Sequence, residues 1–274
     1  MLSGDCMKQN LNEINPNDVE NAIHSNKVFM TQNSGGFVIE SYRNSCSVDI
    51  RFVDTGYTFC TTLGSIRRGN IKDKLSPTVV GVGIVGDTYE SMVGGRKVNE
   101  YKVWHGMLIR CYDSKHHIRQ PTYKQCEVSE NFKYYPYFYE WANNQIGFNS
   151  VDDKGQKFQL DKDLLVKGNK VYSEDVCIFI PQEINSVVSK CDAVRGDSPV
   201  GVTYDKKCGK FISRVRLRDS KRVHVGCFDN EIDAFHAYKE AKELYIKEVA
   251  DKWKDKIDIR AYNALMNYQV EITD

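Results

Sequence analysis

The sequence lacks the features that mark several large classes of protein. Its nine cysteines fall singly, at positions 6, 46, 60, 111, 126, 177, 191, 208 and 227, so none pair as C-x-x-C and the count is odd. That pattern argues against a zinc ribbon and a disulfide framework, and reduced thiols are the expectation. No stretch reaches the ~18 consecutive apolar residues of a membrane span. The polar, acidic opening MLSGDCMKQNLNEINPNDVENAI reads as neither a signal nor a transit peptide. A cytoplasmic protein without a membrane partner is therefore expected. Net charge is also scarce: 38 Lys and Arg against 37 Asp and Glu leave +1. The chain is no polycation, so any nucleic-acid surface must come from uneven placement of charge.

What is present is a normal globular balance, 41% hydrophobic and 27% charged, over 274 residues. That length exceeds the usual single domain, and the patterns predict a multi-domain α+β fold in three segments. In the first, residues 1–95, a short helix at Pro16–Ser25 precedes β-rich runs at Phe37–Glu40, Ser47–Phe52 and Tyr57–Thr62. Clusters of Asn, Ser, Gly and Asp punctuate them, which predicts a small antiparallel sheet. Arg67 and Arg68, with Lys72 and Lys74, form a basic patch that offers this module a DNA contact or a solvated loop. Gly81–Gly86 contains G-x-G but no G-x-G-x-x-G, so a loop or linker is expected rather than a phosphate cradle.

In the second segment, 96–192, Trp104, Met107, Leu108 and Cys111 recur at i, i+3, i+4 and i+7, one face of a helix. A second helix is expected at Tyr137–Gln145, with Pro136 at its first turn. The surrounding aromatics, Phe132, Tyr134, Tyr135, Tyr137, Phe138, Tyr139 and Trp141, suit a small core better than base stacking.

The third segment, 197–274, holds the clearest local structure. Lys210–Arg218 and Arg222–Phe228 read as two strands joined by Asp219-Ser220-Lys221, and a helix follows with Asp229 or Asn230 as N-cap. Strand period two sends Phe211, Ser213, Val215 and Leu217 to one face, with Val223, Val225 and Cys227 joining them. The other face receives Lys210, Arg214, Arg216 and Arg218, with Arg222 and His224 added from the partner strand. From 201 to 228 the cations Lys206, Lys207, Lys210, Arg214, Arg216, Arg218, Lys221 and Arg222 face only Asp205 and Asp219, a local charge of +6. Arginines in a row on one sheet face repel each other and suit a phosphate backbone or guanine edges. Double-stranded DNA is the expected partner, with RNA the lesser alternative.

This third segment resembles the apetala-two/ethylene-response-factor DNA-binding domain. The likeness rests on Gly201-Val202, Tyr204, Gly209-Lys210-Phe211, Arg214-Val215-Arg216, Val225-Gly226-Cys227-Phe228, Ala234 and Ala237-Tyr238. The resemblance implies a three-stranded antiparallel sheet packed on one helix, reading the major groove with the sheet. The family usually has Trp where Phe211 and His224 stand.

The second segment resembles a variant of the HNH nuclease modules common in bacteriophage genes, many of them homing endonucleases. The matching residues are Trp104–Tyr112, Phe138-Tyr139-Glu140-Trp141, Leu160-Asp161-Lys162-Asp163, Gly168–Ser173, Cys177, Pro181 and Asn185. Such proteins often carry a small β-rich module before the central ββα module and an apetala-two-like module after it. The resemblance implies Mg²⁺ or a similar divalent cation at Asp161, with Lys162, Asp163 and Asn169 in the catalytic neighbourhood. Lys162 stands where the family places the histidine base. Three outcomes follow: a fold kept for binding alone, a base supplied by His105, His116 or His117, or Lys162 acting as an electrostatic clamp. The corresponding functions are a sequence-preferring DNA-binding protein that also cleaves phosphodiesters, or an inactive regulator. Such a regulator would occupy DNA or a nucleoprotein complex, or inhibit host defence, in an infected bacterial cell.

Overall fold

The computed structural model describes residues 14–31, 34–189, 198–217 and 222–272. The α+β expectation holds, with several small sheets among helices. The chain forms two compact units, Met1–Glu140 and Trp141–Asp274.

The first unit opens with α1 (Pro16–His24). Asn15 caps it by accepting the Asp18 N–H, while the Asp18 carboxylate accepts the Asn15 N–H, both at 3.1 Å. Strands β1 (Phe29–Met30), β2 (Gly36–Asn44), β3 (Ser47–Phe52) and β4 (Thr58–Thr61) form an antiparallel sheet in chain order. Alternation along β3 buries Val48, Ile50 and Phe52. Phe29, Phe37, Phe52, Tyr57 and Phe59 stack beneath the sheet at centroid spacings of 5.4 to 6.4 Å. Each of the four buried rings stabilises the unit by roughly 1.5–3 kcal/mol, and partly buried Phe59 by less. The short helix α2 (Leu63–Arg67) follows, capped by Thr62.

The same unit continues with the hairpin β5 (Met92–Val93) and β6 (Arg96–Lys97). Its tip, Gly94-Gly95, has positive φ at both residues (56° and 73°), the geometry that matches strand twist. Helix α3 (Asn99–Tyr112) buries Trp104, Met107, Leu108 and Cys111, the face expected from their spacing. The Trp104 indole N–H donates to the Phe132 carbonyl at 2.7 Å. The glycine-rich stretch expected as a loop or linker is packed tightly onto α3. A Cβ on Gly83 would come within 2.4 Å of Leu108. Ile84 bonds through both backbone groups, to the Lys133 carbonyl and the Tyr135 N–H, each at 2.9 Å. Helix α4 (Ser114–Arg119), a 3-10 turn at Pro121–Tyr123, β7 (Glu127–Val128), α5 (Glu130–Lys133) and α6 (Tyr135–Asn143) complete the series. Phe132, Tyr135 and Phe138 are fully buried and Tyr134, Tyr139 and Trp141 partly so, which makes them core, whereas Tyr137 is exposed.

In the second unit, β8 (Gln159–Asp161) pairs antiparallel with β10 (Ile178–Ile180), setting Asp161 opposite Ile178. Short β9 (Val171–Tyr172) lies between them in sequence, and α7 (Gln182–Val188) follows β10. Strands β11 (Val202–Asp205), β12 (Lys210–Arg216) and β13 (Arg222–Phe228) then form an antiparallel sheet in chain order. Helix α8 (Glu231–Trp253) starts at Asn230, whose side chain accepts the Asp233 N–H at 2.8 Å. It packs on all three strands and, further along, on α7 and α9 (Ile259–Met266). Helix α9 packs back onto α8. The Trp253 indole donates to Glu183 at 2.9 Å, tying the end of α8 to α7.

Two glycines explain the local geometry of this sheet. Gly201 has φ +76°, and a Cβ there would lie 2.0 Å from the Tyr238 ring, so only glycine lets that ring close over the start of β11. A Cβ on Gly226 would meet the Phe228 ring at 2.9 Å. Next to Gly226 lies a β-bulge: Ser213 pairs with Gly226 but Arg214 pairs with His224, leaving Val225 as the extra residue. The bulge corrects the expected face of Cys227. Strict alternation groups it with Val223, but the extra residue shifts parity. Cys227 pairs with Ile212 and joins the outer face, beside His224 (Sγ to Nε2, 3.7 Å).

Candidate nucleic-acid interface

The bulge does not disturb alternation along β12. Ser213 and Val215 are buried on the side of α8, while Arg214 and Arg216 are exposed on the other. Across the ladder Arg214 faces His224 and Arg216 faces Arg222, both exposed. Like charges directly opposite on a sheet destabilise it by roughly 0.2–1 kcal/mol. None of Arg214, Arg216 or Arg222 has an ion-pair partner among the described residues. Ile212 is the apolar member of this outer face and is nevertheless buried. The fork-shaped guanidiniums around it therefore stand on a packed base rather than on loose loops.

The remaining basic residues differ in how free they are. Lys206 and Lys207 are exposed in the β11–β12 turn, where the Asp205 carboxylate accepts the Lys207 N–H at 2.8 Å. Lys210 is engaged: its ammonium lies 2.8 Å from the Asp229 carboxylate, which also raises the lysine pKa. That pairing was not legible in the sequence, where Asp229 reads only as a capping candidate. Arg218 and Lys221 lie outside the described residues, as does the rest of the β12–β13 turn. In the first unit, Arg67 donates from Nε to the Ile14 carbonyl at 2.7 Å, fixing the residue ahead of α1. Arg68 is exposed at the end of α2, and Lys72 and Lys74 are exposed on either side of buried Asp73.

The second candidate site is the loop after β8. Asp161 is buried, and one carboxylate oxygen accepts the N–H groups of Asp163 and Leu164, at 3.0 and 2.8 Å. Burial, then the nearby charge of Asp163, pushes its pKa up to about 6, against the partial relief from those two amides. Lys162 is also buried. Its ammonium donates to the Asp163 carboxylate (3.1 Å) and the Asn169 carbonyl (3.0 Å), and lies 5.8 Å from the centre of the Tyr172 ring. Asn169 closes the loop with its whole amide: Nδ2 donates to the carbonyls of Lys162 and Val171, and Oδ1 accepts the Val171 N–H. Asp161, Lys162, Asp163 and Asn169 are thus brought together, but as a self-satisfied turn.

Asp161 and Asp163 offer a divalent cation only a partial donor set. Mg²⁺ requires oxygen ligands in near-octahedral array. Here the Asn169 oxygen is held by backbone, and a lysine ammonium rather than an open space stands beside Asp163. Among the described residues, no three His, Cys, Asp or Glu side chains converge on a point where a metal could sit. The histidines considered as substitute bases belong to the first unit. His105 stacks on Tyr101, and burial, followed by the charge of Lys97, lowers its pKa. His117 Nε2 meets the Arg110 carbonyl at 2.9 Å, and His116 packs on Tyr123.

No helix among the described residues is long and apolar enough to cross a membrane. Comparison of the chain with protein-family models, with curated proteins and with solved structures finds no match.

Proposed function

We propose that the protein binds double-stranded DNA with the outer face of β11–β13, and that the loop around Asp161 does not cut it. The observation that supports the first half is the exposed set Arg214, Arg216 and Arg222, which has no acid partner among the described residues. A two-stranded ribbon or sheet fits the major groove, and guanidinium forks engage guanine edges or phosphates bidentately, which gives sequence preference. Lys206 and Lys207, at the end of the same sheet, reach flanking phosphates, and Arg218 and Lys221 add charge from the neighbouring stretch of sequence. Helix α8 holds the sheet from behind, so the arginines enter the groove as one body.

The second half rests on the Lys162 hydrogen bonds. Both contacts of the Lys162 amine are with acceptors, the Asp163 carboxylate and the Asn169 carbonyl, so it is placed as a donor rather than as a group aimed to take a proton from water. On this reading the protein keeps the order of modules of the HNH homing-endonuclease lineage, with an apetala-two-like C-terminal module, as a binding scaffold. It would act by occupying DNA or a nucleoprotein complex, in the manner of a regulator or an inhibitor of host defence.

The test is a gel-shift and nicking assay on duplex and supercoiled DNA with Mg²⁺, Mn²⁺ or EDTA. The expected result is a shift insensitive to EDTA, abolished in Arg214→Ala/Arg216→Ala, with no nicking. Metal-dependent nicking that disappears in Asp161→Ala would overturn the second half. Absence of any shift would overturn the first.

A further inference from the structure

Beyond the sheet, a second surface carries cations of the same kind. From Ser114 to Cys126 the sequence has three cations, Lys115, Arg119 and Lys124, and no acid. The structure folds this stretch into a fixed corner. Asp113 caps α4 by accepting the N–H groups of Lys115 and His116, at 2.7 and 3.1 Å. His117 is tied back to the Arg110 carbonyl, and the His116 ring packs on Tyr123 of the 3-10 turn, 5.7 Å between centroids. The two histidines therefore hold the corner from inside.

What faces outward is arranged by helical spacing. Lys115, Ile118 and Arg119 stand at i, i+3 and i+4, one face of α4, and all three are exposed. Ile118, at 82%, is the most exposed large hydrophobic residue among those described. Lys124 is exposed at the end of the following turn. None of the three cations has an ion-pair partner among the described residues. Single exposed apolar residues are common on protein surfaces, so the three unpaired cations carry the reading and Ile118 only shapes the face they make. A cationic face with an apolar tip matches a nucleic-acid duplex, where phosphates flank the apolar sugar and base edges of the minor groove.

We infer that the α4 corner is a second contact for double-stranded DNA, with Lys115, Arg119 and Lys124 on phosphates and Ile118 against the groove between them. This inference rests on the DNA-binding reading and extends it to the first unit. The occupant is the duplex backbone, so the contact contributes affinity without sequence preference.

The experiment measures duplex affinity across a salt series by fluorescence anisotropy for the full chain. The variants are Lys115→Ala/Arg119→Ala/Lys124→Ala and, separately, Ile118→Ser. Each phosphate contact contributes about 0.9 to the slope of log K against log salt, so the triple variant is expected to flatten the slope by about 2 to 3. Ile118→Ser is expected to weaken binding with the slope unchanged. All four side chains are exposed, and a thermal melt checks that the fold persists. An unchanged slope in the triple variant, with binding still lost in Arg214→Ala/Arg216→Ala, overturns the corner and leaves the sheet reading standing. Failure of the wild-type chain to bind duplex overturns both.

Discussion

The protein contains two antiparallel sheets in which opposite rules govern the solvent-facing side. On β2–β4, each exposed arginine meets an acid across the ladder. Arg43 contacts Asp49 at 3.0 Å, with Ser41 also donating to that carboxylate, and Arg51 contacts Glu40 at 2.6 Å. On β11–β13, Arg216 faces Arg222 and Arg214 faces His224. Both sheets have an apolar inner face, so packing does not require the difference. Exposed pairs of the first kind contribute only about 0–1 kcal/mol. Their interest is diagnostic: where a surface only meets water, charges of both signs are interleaved. Where β12 meets β13 arginine instead faces arginine, a repulsion that a polyanion would relieve, whereas the sheet's acids, Asp205 and Asp229, stand beside Lys210.

The sharpest way to break this comparison is to give the second sheet the pattern of the first. Arg222→Glu would place a carboxylate opposite Arg216. The sheet is expected to gain up to about 1 kcal/mol as a repulsive pair becomes an attractive one. Duplex affinity is expected to fall roughly a hundredfold or more, because one contact is lost and a charge facing phosphate is reversed. Chemical denaturation and anisotropy on the same variant read both effects. A variant that is neither more stable nor weaker in binding would show that the unpaired arginines are an ordinary solvated face.

The loop after β8 extends the comparison to the interior, where charge has to be neutralised by proton or partner. Asp161 holds its proton up to about pH 6 when folded, against an ordinary value of 3.8, because burial and the Asp163 charge disfavour the anion. Between those two values the folded chain binds more protons than the unfolded chain. The stabilisation from this group is therefore complete below about pH 4 and is lost as pH rises through about 6. Asp161→Asn keeps the oxygen that accepts the two amides but cannot ionise. From pH 4 to 7, wild type is expected to lose up to about 3 kcal/mol relative to this variant. Urea denaturation of both proteins across the range measures it, and a constant difference between them would mean the buried carboxylate is no less comfortable ionised than in water.

Much of this was legible in the sequence because it depends on periodicity and short-range chemistry. The spacing of Trp104, Met107, Leu108 and Cys111 marks the buried face of α3. The string of cations from Lys210 to Arg216, alternating with Ser213 and Val215, marks the exposed face of β12. Asn230 reads as a cap from its position alone. What escaped depends on partners distant in sequence or on backbone irregularity. The bulge at Val225, which moves Cys227 to the outer face, exists only through the register of β12 against β13. The packing of Gly83 onto Leu108, and of Gly201 onto Tyr238, looks in sequence like ordinary turn glycine. The Lys162 lock was half visible: its departure from the HNH pattern was plain, but the carbonyl of Asn169 that receives it was not.

The smallest expected effect tests the one cation of the β11–β13 sheet that follows the rule of the other sheet. Lys210 is paired with Asp229, a residue with 87% of its side chain exposed, and is to that extent withheld from a phosphate. Asp229→Asn would free it. The pair is solvent-exposed, so stability should change by no more than about 0.5 kcal/mol. Duplex binding should tighten, because a carboxylate near the phosphates is removed and a cation released. An increase of about 0.9 in the magnitude of the salt slope would correspond to one added phosphate contact. A tighter complex with an unchanged slope would mean that the loss of repulsion from Asp229 is the whole effect and that Lys210 does not reach the backbone. Weaker binding would assign Asp229 to holding Lys210 in position, and the distinction between paired and unpaired cations on this sheet would no longer separate structure from recognition.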